Sequence, residues 1–136
     1  MNQKFIHQQK GFIEIAGIGF TILGLLASVV LLSLNSARAK SRDAKRIADI
    51  RQLSSAIELY GYDYNAVPAN LAKLTPTYIG IIPTAPLPPD GTCSETDNAY
   101  SYAKIAAKSY EISFCLGQNT GGFSAGKHIL TEKGIK

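Results

Sequence analysis

The chain has 136 residues, a formal net charge of +4 and two cysteines, enough for one small domain beside a short membrane segment. No His, Cys, Asp or Glu residues pair at zinc-ligand spacing, no nucleophile is accompanied by a base, and the glycine-rich run at 117–122 lacks the Lys-Ser/Thr of a phosphate cradle, so the sequence reads as a non-enzyme. The basic excess is local: residues 38–51 hold Arg38, Lys40, Arg42, Lys45, Arg46 and Arg51 against Asp43 and Asp49, whereas residues 61–136 hold six lysines and six acids.

Residues 1–11 form a polar leader with Lys4 and Lys10. Residues 12–34 follow as 23 residues with one charge, Glu14, and no proline; fourteen are Leu, Ile, Val or Phe. As a helix they extend about 35 Å, enough for a hydrocarbon core of about 30 Å, and their apolar side chains favour insertion by roughly 4–8 kcal/mol. The run is longer than the apolar core of a secretory signal, and no small-x-small cleavage site follows it. The small-residue junction lies on its near side, at Gly11-Phe12. Cleavage there removes the leader and keeps the apolar helix. Glu14 has two readings: a solvated cap at the headgroup level, favoured by the unpaired N–H groups of a helix start, or a contact with another subunit's amine. Gly17, Gly19 and Gly24 each cost up to about 1 kcal/mol of helix propensity. Close helix packing and a segment softened for stretching both account for them.

From Asn35 to Tyr60 the helical pattern continues without Gly or Pro. Ala44, Ile47, Ile50, Leu53, Ile57 and Tyr60 recur at spacings of three and four, one apolar stripe on an amphipathic helix. Gly61 is the predicted stop. Residues 70–74 form one helical turn, and the five prolines of residues 75–92 make a loop. Strands are predicted over 99–105, 109–116 and 127–131, with 106–108 as a hairpin link and 117–126 as a turn region. In the second strand Tyr110, Ile112, Phe114 and Leu116 share one face and Glu111, Ser113 and Cys115 the other. Cys93 and Cys115, in a domain that the apolar segment implies is exported, read as one disulfide. The expected fold is α+β: a long N-terminal helix, membrane-spanning in its first half and amphipathic in its second, packed on a small three-stranded antiparallel sheet.

Gly11-Phe12, a glutamate close behind, an unbroken apolar helix, and the runs Ala27-Ser28-Val29-Val30 and Leu34-Asn35-Ser36-Ala37-Arg38 together resemble the N-terminus of type IV pilins and of the pseudopilins of type II secretion. The Tyr-rich segment 60–68, the turn at 70–74 and the Pro-rich loop resemble the same family in outline. The resemblance implies a pilin-like fold of residues 35–136. It implies cleavage by a prepilin peptidase after Gly11, N-methylation of Phe12, and assembly into a filament with Glu14 pairing to a neighbour's N-terminal amine. The family's glutamate is the fifth mature residue; Glu14 is the third counted from Phe12. The implied partners are further copies of the chain, the peptidase and assembly machinery, and the inner or cytoplasmic membrane, with the globular domain outside and then in a cell-surface or periplasmic filament. The alternatives are a single-pass membrane-anchored extracytoplasmic binding module that never assembles and a DNA-uptake (competence) pilin.

Two further sites stay open. Asp90, Glu95 and Asp97, with loop carbonyls, are candidates for calcium as oxygen ligands, or simply solvated loop acids. The basic block 38–51 is a solvated face pairing with acids on its own helix, a surface for anionic headgroups, or a positive stripe for DNA. Its position conflicts with the positive-inside rule, since Lys4 and Lys10 are outnumbered. Export of residues 35–136 therefore rests on the resemblance and the cysteines.

Overall fold

The computed structural model describes the backbone of residues 3–136 and the side chains of residues 17–31 and 33–136. The chain divides into two compact units, Met1–Ala37 and Arg38–Lys136. One helix, α1, is assigned from Gln3–Tyr64. It ends three residues beyond the predicted stop. Asn65 takes φ 52°, the left-handed position that closes a helix and that Asn tolerates better than most residues, so Gly61 remains inside.

In the second unit, Ile47, Ile50, Leu53 and Ile57 of α1 are buried, as the apolar periodicity predicts. Ala44 is not: it faces solvent. The inward positions before Ile47 belong to Ala39, Asp43 and Arg46, all buried. After α1, a single 3-10 turn, Leu71–Leu74, buries Leu74. The Pro-rich stretch is irregular, as expected from its missing N–H donors. It leads into a four-residue helix, α2 (Glu95–Asn98), which the sequence pattern did not reveal. Ser94 caps it, its hydroxyl accepting from Asp97 N at 3.1 Å.

The sheet has four strands where three were expected: β1 (Ser101–Ala106), β2 (Ser109–Leu116), β3 (Gly126–Thr131) and β4 (Gly134–Ile135). They form an antiparallel meander in chain order. The added strand depends on Gly134 at φ 110°, which lets the chain turn back so that Gly134 pairs with Thr131. In β2, Tyr110, Ile112, Phe114 and Leu116 point inward as predicted, and the last three are fully buried. Register sets Ile112 between Tyr102 and Leu130. These side chains meet Ile50, Leu53, Ile57, Leu74 and Leu130 in one core. Each large apolar side chain buried there contributes about 1.5–3 kcal/mol. On the outer face, Cys115 is bonded to Cys93 across a Cα–Cα distance of 5.9 Å, which ties the loop before α2 to the middle of the sheet. The architecture is an α+β fold: a long N-terminal helix with an apolar first part, and a small antiparallel sheet packed on its second part.

Candidate membrane segment and buried charge cluster

In the first unit the described large apolar side chains face outward. Phe20 is 77% exposed and Leu25 70%, and Ile18, Ile22, Leu23, Leu26, Val29, Val30 and Leu31 are likewise exposed. None of the most apolar stretch is buried. An apolar surface of this extent marks a membrane or protein contact, and the helix is long and apolar enough near the N-terminus to cross a bilayer. Two of its hydroxyls are paired on the helix itself. Thr21 Oγ1 donates to Ile18 O at 2.8 Å, and Ser28 Oγ to Gly24 O at 2.9 Å, so neither presents an unpaired polar group to lipid. A Cβ placed on Gly17, Gly19 or Gly24 would meet nothing within 4 Å; these glycines accommodate no other part of the described chain. Gly11 lies on the α1 backbone. The side chains of Phe12 and Glu14, on which methylation and the subunit pairing turn, lie outside the described residues.

The second unit holds a different feature: a cluster of charges inside the domain. Arg46 is fully buried. Its Nη1 donates to Asp43 Oδ1 at 2.7 Å and Asp90 Oδ2 at 3.2 Å. Its Nη2 donates to Asn98 Oδ1 at 2.7 Å and Pro86 O at 3.0 Å, and its Nε to Asn98 Oδ1 at 3.1 Å. Every face of the guanidinium is therefore occupied, which is the condition for burying a charge. Arg42 clasps the same carboxylate, its Nε 2.8 Å from Asp90 Oδ2 and its Nη2 on Oδ1, a bidentate charge-assisted pair. The Arg42 guanidinium, then Arg46, hold the Asp90 carboxyl below its ordinary value; Asp90 in turn raises Arg42.

Asp43 extends the cluster to the sheet. It accepts from Gly117 N at 3.0 Å and Gln118 N at 2.8 Å, the two amides that follow β2. The loop carrying Asp90 lies hard against this turn: a Cβ on Gly91 would collide with Gly117 O, and one on Gly117 with Asp90. Gly91 is also at φ 57°. The cluster thus joins α1, the Pro-rich loop, α2 and the end of β2 with two cations and two anions.

Asp49 and Asp97 are also engaged. Asp49 accepts from Lys45 Nζ at 2.8 Å and from Tyr100 OH at 3.0 Å, and burial, with the Asp49 charge, raises the Tyr100 hydroxyl. Asp97 pairs with Lys127 at 2.6 Å and is lowered by it and by Ser94. The calcium candidates Asp90, Glu95 and Asp97 are not brought together: among the described residues no group of three or more His, Cys, Asp or Glu is placed to hold a metal. Arg42 and Arg46 occupy both Asp90 oxygens instead. Nor is the basic block one face. Arg42, Lys45 and Arg46 are paired within the domain, while Arg38, Lys40 and Arg51 are exposed and form no salt bridge among the described residues.

The sequence carried a sign of this cluster. Asp43 and Arg46 stand three apart and in phase with Ile50, Leu53 and Ile57, at spacings of 3, 4, 3 and 4, so the inward stripe continues through charged residues. Compared with protein-family models, curated proteins and solved structures, the chain matches none of them.

Proposed function

We propose that the chain is a pilin-type structural subunit. It is cut between Gly11 and Phe12 and held in a membrane by the helix that begins at Phe12, with residues 35–136 on the outer side. It then assembles with further copies through that helix into a pilus or a secretion pseudopilus. The observation that carries this reading is the apolar stretch of α1, exposed throughout its described side chains, attached to a domain whose core draws on none of them. Such a helix has its stabilising contacts elsewhere, first in lipid and then against its own copies. Gly17, Gly19 and Gly24, which contact no other part of the described chain, suit close approach of a second helix. The Cys93–Cys115 bond suits an oxidising compartment.

Mass spectrometry of the native N-terminus tests the reading, because it reports cleavage and methylation together. The expected mature chain starts at methylated Phe12. Replacement of Gly11 should retain the leader and abolish filaments in electron micrographs. Native material that begins at Met1 and stays monomeric in its membrane refutes the proposal and leaves a single-pass anchored module.

A further inference from the structure

We propose that Arg38 and Lys40 bind the anionic headgroups of a phospholipid bilayer. This inference rests on the membrane reading of residues 12–34. Of the six basic residues in the block, three are paired with acids: Arg42 and Arg46 with Asp90 and Asp43 inside the domain, and the exposed Lys45 with Asp49 one helical turn on. The other three, Arg38, Lys40 and Arg51, are exposed and join no salt bridge among the described residues. The next acid along the chain, Asp43, is fully buried and engaged by Arg46 and two backbone amides. Nothing described therefore neutralises Arg38 and Lys40.

Their place in the chain fits a headgroup layer. They follow Leu34, the last residue of the apolar run, by four and six positions. The polar layer adds about 5–7 Å to each side of the hydrocarbon core, which a helix covers in about three to five residues; Arg38 falls inside it, and Lys40, about 9 Å past Leu34, reaches back to it through its long side chain. The two side chains diverge by about 200° around the helix axis, so lipids on both flanks are within reach. Stems of this length can lie along apolar surface while the charged ends stay at the interface. A guanidinium presents a paired donor edge to a phosphate, and an ammonium a point charge. Arg51 lies thirteen residues beyond Arg38 in the same helix, about 20 Å away, and serves as an internal control.

The full chain is reconstituted in vesicles of phosphatidylcholine with a minor share of phosphatidylglycerol, released in detergent, and its retained lipids are counted by native mass spectrometry. The expected result is phosphatidylglycerol enriched by about fivefold over its share in the vesicle. The double variant R38Q/K40Q should fall to the vesicle's own ratio and R51Q should match wild type. Both changed positions are exposed, so the variants keep the fold. A wild-type chain that resists alkaline extraction but retains lipids at the vesicle ratio overturns this inference alone. So does a double variant indistinguishable from wild type, or an R51Q variant that loses enrichment equally. Displacement of the retained lipid by duplex DNA at low ionic strength reassigns the pair to nucleic acid and also overturns it. A wild-type chain extracted by alkali removes the membrane reading and this inference with it.

Discussion

The two units use one helix assignment in opposite ways. In Met1–Ala37 the described large apolar side chains point out, and the Thr21 and Ser28 hydroxyls fold back on the helix's own carbonyls. In Arg38–Lys136 the apolar side chains point in, and so do Asp43 and Arg46. The first pattern suits a solvent that offers no hydrogen bonds; the second suits water outside and a filled polar cluster inside. Secondary structure alone does not distinguish them. The side chain at each angular position does, together with whether its polar atoms are already paired.

This contrast has a sharp test on each side. The largest loss is expected from Arg46→Ala, which leaves Asp43 and Asp90 buried with part of their compensation gone. It should destabilise the domain by about 3–5 kcal/mol in denaturant unfolding. A loss below about 1 kcal/mol would show that the cluster is wetter than it looks. In the first unit, Leu23→Arg near the centre of the apolar run should cost about 3 kcal/mol of insertion free energy, read as the membrane-integrated fraction of the chain. Arg46 is buried without harm in one unit, and an arginine is not tolerated in the other, because only the first has partners waiting.

Joint replacement of Cys93 and Cys115 by Ser removes a link of sequence separation 22 and should cost about 3 kcal/mol by the loop-closure estimate. The ion cluster holds the same loop, so the loss is expected in stability with the fold kept, seen as a lower unfolding midpoint with unchanged near-ultraviolet dichroism.

Acid should act through Asp90. Its folded pKa lies below the ordinary 3.8, so the unfolded chain takes up its proton more readily. The stabilisation is fully present above that ordinary value and is lost as pH falls through the lower folded value. Unfolding measured between neutrality and pH about 3 should show a decline confined to the acid end, and Asp90→Asn should make it shallower. The smallest effect belongs to Ala44→Gln. Ala44 is solvent-facing, so a change within about 0.5 kcal/mol is expected; a larger loss would place Ala44 in the stripe after all.

Much of this was legible beforehand, and the reason is periodicity. The alternation of β2 and the three-four spacing of Ile47, Ile50, Leu53 and Ile57 are set by burial on one face, so they survive in the sequence. The apolar run is legible for the same reason. What was not legible depends on long-range pairing. Arg42 and Arg46 look like surface charges until Asp90, 48 and 44 residues away in the chain, folds onto them. Helix α2 has only four residues and is specified by its Ser94 cap, too short to leave a period. β4 rests on the backbone freedom of Gly134, and the true end of α1 on a left-handed Asn65, signals weaker than the Gly61 that precedes it. Of the candidate site, only the Cys93–Cys115 bond and the apolar helix lie in the described side chains as expected; the calcium candidates do not converge.

Asp43 has a consequence for how the second unit comes apart. By receiving the Gly117 and Gln118 amides, a side chain of the helix supplies the hydrogen-bond partners that another strand would otherwise provide at the end of β2. The meander is thus left unfinished when α1 is removed, and Asp43 keeps only Arg46 of its own helix when the meander is removed. The two pieces complete each other's hydrogen bonding, so the unit is expected to unfold in a single cooperative step, and a fragment beginning after Tyr64 to lack the fold in circular dichroism.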